Sequence, residues 1–189
     1  DRKDFHAALD QAAKLKDKAA KAGADFAKAG VKRVFLVGCG APNREMGAIK
    51  YFLDRDIKSV EFYLYFPAEF IRKAPAKLGK DSLVVLASHS VTTPDILQTA
   101  EFIKPYGCKV AAVTQFEDSP LAKAVPGTFV YGKSDHGYTA KFMILLAFLT
   151  GLVKEAEGWK LADKVLKSLD AFIDVMADTA IANDKRAIE

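Results

Sequence analysis

The sequence predicts an α/β protein, a three-layer α/β/α sandwich around a five-stranded, mainly parallel sheet. Two observations carry this. Short β-rich runs alternate with helix-patterned segments five times along the chain. Several of those runs are continuously apolar rather than alternating, as strands are when helices cover both faces.

Each element has its own signal. "FHAALDQAAKLKDKAAKAGADFAKAG" (5–30) is rich in alanine and lysine and predicts a helix. "KRVFLVGCG" (32–40) is a strand that ends in a glycine turn, and "NREMGAIKYFLDRD" (43–56) is the helix behind it. "SVEFYLY" (59–65) predicts a strand, and "PAEFIRKAP" (67–75) a short helix opened by proline. "SLVVLAS" (82–88) is a strand, and "TPDILQTAEFIKPYG" (93–107) a helix closing near Pro105 and Gly107. "KVAAVTQ" (109–115), the helical turn "SPLAKAV" (119–125) and "GTFVYGK" (127–133) complete the sheet. A long apolar helix over 138–158 and an amphipathic one over 160–183 follow.

Composition narrows the function classes. Half of the 189 residues are hydrophobic and the net charge is +4, with lysines scattered among acids. Neither a nucleic-acid patch nor a membrane surface is expected from that balance. Cys39 and Cys108 sit in no CxxC or ligand-like cluster, so no metal and no disulfide framework is expected, and a reducing cytoplasm fits. The opening "DRKDFHAAL" has no signal-peptide pattern, and "FMILLAFLTGLV" (142–153) reads as a buried helix rather than a bilayer span.

Right-handed crossovers bring the carboxyl ends of parallel strands to one edge of the sheet, where ligands bind. The loops after Val37, Ala87, Thr114 and Gly132 are therefore the ones to search. The richest is "SHSVTTPD" (88–95). Thr93 suits an N-cap, Pro94 the first helical turn, and Asp95 complements the helix dipole. The free amides of that helix start, beside Ser88, His89, Ser90, Thr92 and Thr93, make an anion site of the kind phosphate occupies. The plainer alternative is that these hydroxyls only cap and turn. A dinucleotide site in "VGCGAPN" lacks its third glycine, because Asn43 stands there. Glu61, at the distance of a ribose-binding acid, does not rescue it alone.

These residues resemble the sugar isomerase (SIS) domain of phosphosugar-handling proteins. The likeness rests on "VFLVGCG", on "VVLASHSVTTPD", and on "GYTAKFMILLAFL". The segment 65–95 is similar to the first half of tandem-SIS fructosamine-6-phosphate deglycases. The resemblance implies a flavodoxin-like SIS fold over 1–155, with its N-terminal helix over 4–30. Residues 156–189 would then be a C-terminal helix connecting to a second SIS domain outside this chain. It implies that Ser88, Ser90 and Thr93 hold a phosphate with the backbone of His89 beside them, and Thr92 stays a substrate-binding candidate by its place in the loop. Gly40 would lie under the sugar, Thr139 and Lys141 would border the pocket, and Glu69 would match an acid near the sheet edge. Pro42 stands where the family has a serine, Val91 where it has glycine, and Asp95 where it has glutamate.

The implied ligand is a phosphorylated sugar or amino sugar, with no cofactor, and the implied assembly is a homodimer or a pairing with a second SIS domain. The implied chemistry is proton transfer through an enediol or enaminol, with the catalytic Glu and His outside this chain. His89 is the histidine in a pocket loop and a candidate catalytic group, whereas His6 reads as a surface helix residue and His136 as a loop histidine. Phe142, Ile144, Leu145, Phe148 and Leu152 read as core. A non-catalytic phosphosugar-sensing or dimerisation module is the alternative.

Overall fold

The structure is a computed structural model that describes residues 2–89 and 94–188. Its sheet has five strands, all parallel, in the order β2-β1-β3-β4-β5. These are β1 (Arg33–Gly38), β2 (Glu61–Tyr65), β3 (Ser82–Ala87), β4 (Lys109–Thr114) and β5 (Phe129–Val130). The helices are α1 (Arg2–Lys28), α2 (Ala41–Asp54), α3 (Pro67–Lys73), α4 (Pro94–Phe102), α5 (Pro120–Ala124), α6 (Gly137–Glu157) and α7 (Ala162–Ile188).

Side-chain alternation on the strands divides the core in two. Val34, Leu36, Leu83, Val85 and Val113 pack against α1, α2, α6 and α7. Phe35, Val37, Val84, Leu86 and Ala112 pack against Phe70 of α3, Ile96 and Ala100 of α4, and Leu121 of α5. β1 and β3 are buried on both faces, which is why their sequences do not alternate.

Several ends differ from the sequence expectation. Helix α2 starts at Ala41 and takes Pro42 into its first turn, where a missing N–H costs nothing. Helix α4 stops at Phe102, and Pro105 sits in a separate 3₁₀ turn, Lys104–Tyr106, closed by Gly107 at φ 64°. Strand β5 keeps two residues of the seven expected, because Tyr131 and Gly132 leave the ladder while still donating to Thr114 O and Gln115 O. Helix α6 has 21 residues and is long and apolar enough to cross a membrane by length and composition. Here its Ile144, Leu145, Phe148 and Leu152 are buried in the protein core, and Phe142 is half-buried.

Helices α1 and α6 touch backbone to backbone. A Cβ on Gly23 would lie 1.9 Å from Phe148 O, and one on Gly151 would lie 1.9 Å from Ala20 O. Neither neighbour is a flexible side chain, so both positions need glycine for the approach. Helix α7 then closes this layer with buried Leu169, Ile173 and Ala177. Polar contacts to α1 line its outer edge: a hydrogen bond between Asp174 and His6 (2.9 Å), and ion pairs of Asp174 with Arg2 (3.5 Å), Asp178 with Arg2, and Asp170 with Lys16.

Gly151→Ala should therefore lower stability by about 2–3 kcal/mol or more through overpacking, a fall in Tm of roughly 5–10 °C for a chain of this size. Gly79→Ala, where an added Cβ meets nothing within 4 Å, should change it by less than about 0.5 kcal/mol. Thermal and urea unfolding of the two variants checks the contrast.

Candidate functional site

The strand order places the site. The chain runs from β1 out to β2, then returns to β3 on the other side of β1. This reversal opens a crevice at the carboxyl ends of β1 and β3. Gly38 pairs with Ala87, so Cys39 and Ser88 leave the sheet side by side. A cleft of about 210 Å³ lies there. Its walls are Cys39, Ala41 and Pro42 from the β1–α2 turn, and Ala87, Ser88 and His89 after β3. Ile96 of α4 and Tyr138 of α6 complete them.

Of the residues singled out in the sequence, Ser88 and His89 line this cleft. Ser88 is buried, and its N–H donates to Val113 O at 3.1 Å, which carries the β3–β4 ladder one step further. Gly40 is exposed at φ 67° as the N-cap of α2, between two lining residues. Its positive φ would strain any replacement, although space for a Cβ is open. Thr139 is half-buried in the first turn of α6, next to Tyr138. Ser90, Val91, Thr92 and Thr93 lie outside the described residues. Immediately after them α4 begins with Pro94 and Asp95 in its first turn.

Lys141 sits behind the cleft wall. It is 0% exposed, and its Nζ lies 3.5 Å from Glu45 Oε1. At that distance the two form an ion pair without a hydrogen bond. The ammonium also lies over two rings, 5.0 Å from the centroid of Tyr138 and 5.8 Å from that of Tyr131. Burial pushes the Glu45 carboxyl up despite Lys141, and burial pushes the Lys141 amine down despite Glu45. Desolvation therefore outweighs their attraction at both ends of the pair.

His89 stands on the cleft side of the same cluster. Its Nδ1 is 2.8 Å from the Tyr131 hydroxyl, and the two rings are nearly parallel. Tyr138 flanks it with a centroid distance of 5.3 Å. Burial, and then the charge of Lys141, push the His89 imidazole below its ordinary value, so the ring is neutral at pH 7. Gly137 makes room for it, since a Cβ there would lie 2.8 Å from His89 Cε1.

The other candidates are elsewhere. His136 stacks on Phe5 at 4.4 Å, His6 pairs with Asp174, and the half-buried Glu69 pairs with Lys73 at 2.7 Å. Among the described residues no group of three His, Cys, Asp or Glu side chains is placed to hold a metal. Sequence reasoning missed Glu45, Tyr131 and Tyr138. Glu45 had a legible signal: an acid one turn before Ile49, on the helix face that buries Met46 and Leu53.

No protein-family model matches the chain. Its homologues and structural neighbours are phosphosugar isomerase and SIS-domain proteins. It is 32% identical over 142 residues to a fructosamine deglycase of Bacillus subtilis, covering 74% of this chain and 43% of the relative. It is 28% identical over 193 residues to a glutamine–fructose-6-phosphate aminotransferase of Caulobacter vibrioides, covering 90% and 31%. The crystal structure of a Bacillus subtilis protein assigned as a phosphosugar isomerase superposes with a TM-score of 0.80 at 27% identity, covering 90% of this chain and 55% of the other. The all-parallel five-stranded fold is thus the SIS fold, and the chain spans less than half the length of these two curated relatives.

Glu45→Met should cost about 3–5 kcal/mol, because it leaves the Lys141 charge buried without its partner. Lys141→Met should cost less, since Glu45 can take up a proton. A carboxyl whose folded value is raised favours the folded state below its ordinary value, and that contribution is lost as pH rises through the folded value. Lys141→Met should therefore lose stability as pH rises through the carboxyl's folded value. The double variant should recover most of the loss, and urea titration of all four proteins closes the cycle.

Proposed function

We propose that this chain is the phosphosugar-binding unit of a sugar-phosphate isomerase or a fructosamine-6-phosphate deglycase-type enzyme. The observation that carries the proposal is the cleft at the β1–β3 switch point, bounded by Ser88 and His89 and by the start of α4. The phosphate would sit on the amides at the start of α4 and on the hydroxyls of Ser88, Ser90, Thr92 and Thr93. The sugar would lie over Gly40, with Thr139 and Lys141 at or behind its far side.

The reaction would open the sugar ring and move a proton next to a carbonyl, through an enediol or enaminol. That chemistry calls for a base and an acid but for no metal or nucleotide. Among the described residues no carboxylate lines the cleft. The Glu and His that move the proton would therefore come from a second SIS domain or a second copy of the chain, in keeping with the greater length of the relatives. In that arrangement residues 1–155 form the binding unit, and 156–189 lead toward the partner in a cytoplasmic enzyme. A second reading, a non-catalytic phosphosugar sensor, is favoured by one feature: Pro42 forms part of the cleft wall and offers no donor.

Fructose 6-phosphate, glucosamine 6-phosphate or a fructosamine 6-phosphate should stabilise the chain by about 2.7 kcal/mol at a hundredfold excess over Kd, read as a raised Tm. The unphosphorylated sugars should not. Ser90→Ala should weaken the phosphorylated sugars selectively, and equal weakening of both kinds would remove the phosphate assignment. Turnover by a protein holding both halves separates the enzyme from the sensor.

A further inference from the structure

We propose that Tyr131 locks His89 in the tautomer with its proton on Nε2, so that an uncharged N–H donor faces an oxygen of the sugar chain in the cleft. The proposal rests on the phosphosugar-binding reading of that cleft.

Tyr131 is 2% exposed, and a buried phenol has to donate its proton to an acceptor. The partner of its hydroxyl is His89 Nδ1 at 2.8 Å. Burial, and then the negative charge of Glu45, hold the phenol in its protonated form well above neutral pH. Nδ1 therefore accepts, and in a neutral imidazole the remaining proton is on Nε2. The Lys141 ammonium, over the rings of both Tyr131 and Tyr138, opposes a second proton on His89. No described residue engages Nε2, while His89 itself lines the cleft.

Position separates the sugar from the phosphate. The imidazole packs against Gly137 and Tyr138 in the first turn of α6, whereas the phosphate would sit on the amides at the start of α4. An Nε2–H donor there meets a carbonyl or hydroxyl oxygen of the carbon chain. In this tautomer His89 keeps its proton: it polarises the oxygen and cannot act as the base at Nε2. Tyr131 is then a positioning residue that acts through His89.

The test combines tautomer and affinity. Nitrogen-15 NMR of the labelled chain should show His89 protonated on Nε2 alone at neutral and mildly alkaline pH. Tyr131→Phe should yield a mixture of tautomers, bind fructose 6-phosphate about tenfold more weakly, and bind inorganic phosphate unchanged. His89→Leu should lose about the same factor, and His89→Gln, which keeps a donor, should recover most of it. A proton on Nδ1 in the wild-type chain, or full affinity for fructose 6-phosphate in both Tyr131→Phe and His89→Leu, overturns the proposal alone. Failure of the wild-type chain to bind fructose 6-phosphate overturns the phosphosugar reading and the donor role with it. Thermal melts of each variant separate lost folding from lost binding.

Discussion

A parallel sheet must be covered on both faces, and this chain meets that demand with unequal layers. Helices α3, α4 and α5 are short and cover one face, while α1, α2, α6 and α7 cover the other. The deeper layer is anchored by the contact of α1 with α6 through Gly23 and Gly151. That close approach seats α6 against the sheet, and its first turn reaches the carboxyl edge beside β1 and β3. Without it, neither Tyr138 nor Lys141 would stand where they do. The cleft thus depends on glycines far from it along the chain.

Helix α6 joins stability to function in one element. Its middle is core, with Ile144, Leu145, Phe148 and Leu149 buried. Its first turn carries Gly137, Tyr138 and Lys141 to the rear and rim of the cleft. A lysine costs little at a helix surface and much in a core, so its burial here calls for compensation. Glu45 supplies it across the layer from α2, and the faces of Tyr131 and Tyr138 supply more.

The sequence made the sheet legible because strands buried on both faces leave continuous apolar runs such as Val34–Val37 and Leu83–Ala87. Ends were less legible: β5 has too short a ladder for its pattern to show, and Pro42 reads as loop or first helical turn equally well. In the site, the loop around Ser88 and His89 stood out by composition and position. The cluster of Glu45, Tyr131, Tyr138 and Lys141 did not. Its members come from different elements, and only the sheet brings them together. Each alone reads as an ordinary helix or strand residue, although Glu45 on an apolar stripe was a visible anomaly.

The Glu45–Lys141 pair also bears on the charge of everything in front of it. The carboxyl is pushed up and the amine down, so both shifts run toward the uncharged forms. The pair has no net charge in either distribution of its proton, ammonium with carboxylate or amine with acid. What changes is the field beside it. With the proton on Lys141, an ammonium lies over the faces of Tyr131 and Tyr138 and adds to the burial that keeps His89 neutral. With the proton on Glu45, burial alone does so. The burial that makes the pair costly for folding thus also sets the electrostatics of the ring cluster in front of it.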